Sequence, residues 1–357
     1  MQVLDYLYKY QNTTFKEMPF NEVDALILAM VSYCPFDEFD KQKTTFTAKE
    51  LYQLISQYVP PYNISERKLK YIEMTKVLCR SNRFKNPTFA WFRKARDKES
   101  EKQFQAITII LGEFAYVSFC GTDSTTLGWK EDFNMAYLEM VPSEIEAVSY
   151  LKYVSTNFFF KKMYVGGHSK GGRLAITAAK KLHRWSKLLG VYAFDSPNFP
   201  SSCYDLDYKT TTSIIHEYTP DESIIGRLMP SYAHKKIVTS SNTLLMQHDS
   251  FSWEVNDHSF IYKKEYTERS THIVDTINYA LNNYDEDMKR EFIDAMFDFL
   301  ARLDIEQLPN EKDFIPFFLS RFPLLKGEWK ETPKEKRAVM KKMLFKISKD
   351  YLLKKKG

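Results

Sequence analysis

The spacing of hydrophobic positions changes twice along this chain. Up to about residue 100 it reads as helical. Glu22–Tyr33 is apolar on all sides, as in a buried helix. Ala48–Tyr58 predicts a second helix, with Thr47 as its N-cap, Glu50 completing a capping box, and Pro60-Pro61 closing it. Ser65–Cys79 predicts a third, carrying Leu69, Ile72, Val77 and Leu78. At Gln105 the texture turns β-rich. Ala106–Leu111 and Phe114–Cys120 flank Gly112-Glu113 and predict a hairpin. Strands and helices then alternate: strand Lys162–Val165, helix Gly171–Trp185, then strands Val191–Phe194, Ser213–Tyr218 and Lys236–Thr239. That alternation predicts an α/β layered sheet. From Glu268 the period is helical again, with Met288, Phe292, Met296, Phe299 and Leu303 on one stripe of Glu286–Arg302.

Composition narrows the class. The chain has 357 residues, 44% hydrophobic and 27% charged, which suits a large folded core and excludes bulk disorder. The start, MQVLDYLYKY, lacks the basic-then-apolar pattern of a secretory signal. Cys34, Cys79, Cys120 and Cys203 have no metal-like spacing, and reduced thiols in a cytoplasmic protein are expected. Residues 326–357 hold twelve Lys/Arg and four Asp/Glu, a net of +8, so the overall +5 leaves the rest at −3. With the positive charge confined to the tail, nucleic acid is not an expected partner.

The chemistry concentrates in Gly166-Gly167-His168-Ser169-Lys170-Gly171-Gly172, four of the chain's 11 glycines in seven positions. A strand precedes it and an Ala-rich helix follows. Gly167-x-Ser169-x-Gly171 in that context is a nucleophile elbow. The sharp turn pushes the central side chain outward, a Cβ on the flanking glycines would crowd neighbouring backbone, and the helix N-terminus offers N–H groups to an oxyanion.

Further segments carry a family resemblance. Tyr116-Val117-Ser118-Phe119-Cys120-Gly121-Thr122-Asp123, continuing to Gly128-Trp129-Lys130-Glu131-Asp132, resembles the "FRGT…W…D" segment of class 3 lipases. Tyr192–Pro197 is similar to their "TFGSP" strand, and Thr219–Ile224 with Leu228-Met229-Pro230 to their "NDPV…LPP" segment. The nearest likeness is a largely uncharacterised bacterial branch of lipase-like proteins, over residues 20–260. The resemblance implies that Thr122 and Lys170 supply the oxyanion-hole N–H groups. Cys120 stands where the family usually has Arg, a position that looks structural, so the hole itself is expected to be retained.

Chain order in this fold runs Ser, then Asp/Glu, then His. Asp195 and Asp221 both end strands after the elbow. Asp221 follows the second, where the acid normally sits, and is the expected acid, with Asp195 as alternative. Among seven histidines, His168 adjoins the nucleophile, His183 lies about 21 Å down the elbow helix, and His216 precedes the acid. Of His234, His248, His258 and His272, His248 follows the strand-like run Thr243–Met246 and is the expected base, ahead of His258.

The chain is therefore expected to be an α/β-hydrolase: a helical segment over 1–100, a core over 101–275 and a helical C-terminal region over 276–357. Ser169, Asp221 and His248 would cleave an acyl ester or lipid, with no cofactor or metal. Alternatives are a thioesterase, amidase or acyltransferase with the same triad, or a hydrolase fold kept as a binding module. The basic segment Pro333–Leu353 carries an apolar stripe that gives weak contact with an anionic membrane surface as a further expectation.

Overall fold

The computed structural model of the protein describes residues 1–158, 162–182, 187–204, 206–229, 235–303, 305–308, 317, 320–342 and 345. Its centre is a nine-stranded mixed sheet. In chain order the strands are β1 (Phe46–Thr47), β2 (Thr88–Asp97), β3 (Lys102–Leu111), β4 (Phe114–Phe119), β5 (Lys162–His168), β6 (Leu188–Phe194), β7 (Ile215–Pro220) and β8 (Lys236–Val238), with Tyr262–Lys263 as the last edge. They lie side by side in that order. The first four pair antiparallel, β4 to β8 run parallel, and the edge strand returns antiparallel.

The side-chain period of two explains why both faces are covered. On β4, Ala115, Val117 and Phe119 pack under helices α7 (Pro142–Asn157) and α8 (Lys170–Lys180). Tyr116 faces the other side, with the core of the N-terminal helices α1 (Val3–Tyr10), α2 (Glu22–Met30), α4 (Ala48–Gln57) and α5 (Glu66–Arg80). On that side Ser118 donates to the Ala29 carbonyl of α2 (2.8 Å). Helix α2 is buried from Val23 through Met30, as its all-round apolar pattern requires.

Three local expectations hold: Thr47 caps α4 with Glu50 completing the box, the third helix forms as α5 with Ser65 at its N-cap, and Gly112 turns the β3–β4 hairpin with φ of 68°. Two do not. Residues 88–97 are not helical but form β2, paired along its length with β3. The strand signal is masked because the ladder slips between Ala90 and Arg93, where Trp91 takes φ of 58°, so alternation breaks mid-strand. The run Thr243–Met246 is not a strand either. It enters a 3₁₀ turn, Leu244–His248. The sheet thus draws strands from the segment expected to be wholly helical.

A buried ion pair locks the N-terminal helices together. Arg83 reaches Asp24 through Nε (2.7 Å) and Nη2 (2.5 Å) and also donates to the carbonyls of Thr13, Met18 and Pro19. Both side chains are buried. Helices α10 (Glu268–Asn283) and α11 (Glu286–Arg302) follow the sheet. Among the described residues no helix is long and apolar enough to cross a membrane. Residues 343–344 and 346–357 of the basic tail, and His183 and His234, lie outside the described residues.

Removing one member of the buried pair strands the other. Arg83→Met is expected to lower unfolding free energy by about 3–5 kcal/mol. Urea denaturation checks this; a loss under about 1 kcal/mol would contradict the reading.

Candidate functional site

Strand β5 ends at His168, and α8 begins two residues later. Between them Ser169 adopts φ 58° and ψ −134°, a conformation costly for a residue with a Cβ. The surrounding glycines make the turn feasible. A Cβ on Gly167 would come within 2.3 Å of Gly171 backbone, and one on Gly171 within 2.2 Å of the Phe119 carbonyl oxygen. The elbow is stitched by the Ser169 N–H to the Phe194 carbonyl (2.9 Å) and the Gly172 N–H to the Ser169 carbonyl (3.0 Å).

The β5–β6 register pairs His168 with Phe194. Ser169 and Asp195 are therefore the next residues on adjacent parallel strands, at one edge of the sheet. Asp195 also takes a positive φ, 46°. It is buried, and its Oδ2 accepts from His248 Nδ1 at 2.7 Å. Its Oδ1 accepts from Ser223 Oγ (2.5 Å), which in turn accepts the Gly226 N–H (3.0 Å).

The expectation for Asp221 is corrected here. Asp221 lies one strand further from the elbow, and its carboxylate does not meet His248. Oδ1 accepts from Gln247 Nε2 (3.1 Å) and Oδ2 from Lys263 Nζ (2.5 Å). Asp221 thus anchors the residue before His248, while the carboxylate at the imidazole is Asp195. Both end strands on the same edge, so chain order alone could not separate them. His258 lies in the turn after Val255–Asn256, and no shared contact with Ser169 or Asp195 is present among the described residues.

A second histidine holds the loop of the first. His168 Nε2 lies 2.9 Å from the His248 carbonyl oxygen, which can only accept. Nε2 therefore carries the proton, and Nδ1 accepts from the Tyr33 hydroxyl at 3.0 Å. Burial, then the neighbouring His248 and Arg67 charges, hold the His168 pKa well below the ordinary 6.5. Tyr33 stacks on Tyr71 of α5, with centroids 4.7 Å apart. No local signal in the sequence points to Tyr33 or Ser223.

Across the elbow, Gly121 approaches so closely that a Cβ would lie 3.1 Å from Ser169 Cβ. Thr122 follows directly after this contact in the chain. The Thr122 hydroxyl donates to Asp132 Oδ2. Among the described residues, neither the Thr122 nor the Lys170 backbone N–H has an acceptor. Burial, opposed by Lys170 and by the Thr122 hydrogen bond, pushes the Asp132 carboxyl up to about 6. The Lys170 ammonium is buried, and Glu131 and Asp132 outweigh that burial to raise its pKa. Among the described residues no group of three His, Cys, Asp or Glu is placed to hold a metal, and all four cysteines are free and buried.

Neutral His168 makes a pH prediction. Its folded pKa is depressed, so the unfolded chain binds the extra proton first and stability falls as pH drops below about 6.5. Asp132, with a raised pKa, contributes with the opposite sign between about 4 and 6. The comparison with His168→Gln therefore isolates the histidine. The variant is expected to lose less melting temperature than wild type between pH 7 and 5.5; parallel curves would contradict the assignment.

The family model described as Mbeg1-like matches residues 78–298, more than half of the chain. No curated protein sequence matches it. Solved structures similar to it include the lipase from Rhizopus microsporus var. chinensis, at 15% identity, covering 68% of this chain and 79% of that one with a TM-score of 0.38. A Rhizomucor miehei lipase propeptide complex is similar at 13% identity, covering 66% and 77%, with a TM-score of 0.41. The M37 lipase is similar at 15% identity, covering 58% and 70%, with a TM-score of 0.38. The elbow, the sheet that carries it and the match over residues 78–298 together place this chain in the Mbeg1-like family, a class 3 lipase-like branch of the α/β-hydrolases.

Proposed function

We propose that this protein is a serine hydrolase that cleaves a carboxylic ester through an acyl-enzyme. One observation carries the reading: an imidazole bonded at Nδ1 to a buried carboxylate, His248 to Asp195 at 2.7 Å, beside a serine strained into an elbow on the adjacent strand end. With Nδ1–H donated to Asp195, the neutral His248 ring carries its basic lone pair on Nε2, the nitrogen that takes up a proton.

Ser169 Oγ attacks the ester carbonyl while His248 Nε2 takes its proton. Asp195 fixes the tautomer and stabilises the imidazolium. The carbonyl oxygen, now an oxyanion, receives the N–H groups of Thr122 and Lys170, which have no acceptor among the described residues. The intermediate collapses, the C–O bond to the alcohol breaks, and His248 returns the proton to the leaving oxygen. Water then attacks the acyl-serine with His248 again as base, releasing the carboxylic acid and Ser169.

The network around the base suits this work. The turn that carries His248 is held where His168 donates to the His248 carbonyl, Gln247 to Asp221, the Trp253 indole to the Gln247 carbonyl and His248 itself to Asp195. The substrate is an acyl ester or lipid.

A fluorophosphonate is expected to add once to the folded protein and not to Ser169→Ala, read by intact-mass spectrometry. No adduct on folded wild type would leave a binding module as the better reading.

Asp195→Asn is expected to lower turnover of a p-nitrophenyl ester by about 10⁴-fold, because the imidazole loses its oriented tautomer. Asp221→Asn, which loosens the Gln247 anchor and the Lys263 ion pair without touching His248, is expected to cost less than about ten-fold. The reverse order of losses would return the acid role to Asp221.

A further inference from the structure

The side chain of Lys170 is not needed for the part its backbone plays, since any residue after Ser169 offers an N–H there. Yet this position carries an ammonium that is 1% exposed. It sits in the first turn of α8, where the positive end of the helix dipole opposes it, and away from water, where an unpaired charge is very costly.

The surroundings answer both penalties. Nζ has three protons and three acceptors in reach: the Gln103 carbonyl (3.1 Å), Gln103 Oε1 (2.7 Å) and Glu131 Oε2 (3.0 Å). Glu131 is fully buried and is held in turn by the N–H groups of Gln103 (3.0 Å) and Ser143 (2.7 Å). Asp132 stands differently. Its Oδ1 lies 3.6 Å from Nζ and has no hydrogen-bond partner among the described residues, so charge attraction is what holds that oxygen. Its Oδ2 takes the Thr122 hydroxyl. A continuous link therefore runs from the residue after the nucleophile, through Asp132 on helix α6 (Thr126–Asn134), to Thr122 on the opposite wall.

We infer that Lys170 is a positioning residue: its ammonium, acting through Asp132, holds Thr122 at the separation from Ser169 that two oxyanion donors require. The inference rests on the ester-hydrolase reading above. A lysine that merely braced α6 would add stability with no effect specific to Thr122, so coupling between the two positions decides the matter.

The experiment is a double-mutant cycle with p-nitrophenyl butyrate, using Lys170→Met, Thr122→Val and the pair, each checked for folding by near-ultraviolet circular dichroism. Lys170→Met is expected to lower kcat by about 10- to 100-fold with KM within about three-fold, the loss typical of a donor displaced by about an ångström. In the Thr122→Val background the same substitution is expected to cost less than about three-fold, because the link has already lost its end. Equal losses in both backgrounds, or unchanged kcat in a folded Lys170→Met, would overturn the role. Should Lys170→Met fail to fold, Asp132→Asn breaks the link at its partly exposed member while keeping an acceptor for the hydroxyl. Its loss, about ten-fold, should likewise vanish in the Thr122→Val background, and persistence there would overturn the role. A wild type that neither hydrolyses the ester nor takes the fluorophosphonate removes the hydrolase reading itself; an active wild type with independent losses removes only the positioning role.

Discussion

The parallel pairing of β5 with β6 sets the position of everything else in the site. Its last rung joins His168 to Phe194, and the Ser169 N–H still donates to the Phe194 carbonyl. The two chains then leave the sheet together. Both first residues beyond it, Ser169 and Asp195, turn through positive φ. Such a turn on one strand is a local strain; here it recurs on two adjacent strands and leaves two polar residues at neighbouring strand ends. A shift of one residue in this register would send Asp195 to the other face, since side chains alternate.

Around that pair the protein has built polar support on both sides. Tyr33 and His168 hold the backbone of His248 from the side of the N-terminal helices. Ser223 holds Asp195. Glu131, Lys170 and Asp132 join the elbow to the Thr122 wall. Buried networks of this kind stiffen a site when their members are satisfied, because each unmade bond is expensive away from water. The N-terminal helices are thus more than a cover for one face of the sheet. They deliver Tyr33, and the Asp24–Arg83 pair keeps them together.

Much of this was legible along the chain. The glycine cluster around Ser169 announced the elbow because close backbone contact excludes a Cβ at Gly167 and Gly171. The cap at Thr47 and the Gly112 turn are local events that depend on residues a few positions apart. Strand β2 was not legible, because its bulge at Trp91 interrupts the alternation by which a strand is recognised.

The sequence by itself determined the elements whose causes are short-range: capped helices, the hairpin and the strand–turn–helix that carries Ser169, and it set His248 after both strand-end carboxylates in the chain. The tertiary structure decided which carboxylate that histidine meets. Asp195 and Asp221 stand in equivalent places at successive strand ends, and nothing near either one distinguishes them. The choice lies in how far the turn carrying His248 folds back. Gln247 bonds to Asp221 and places the next residue on Asp195. That depends on contacts between residues 26 and 53 positions apart, a separation at which local pattern carries no information.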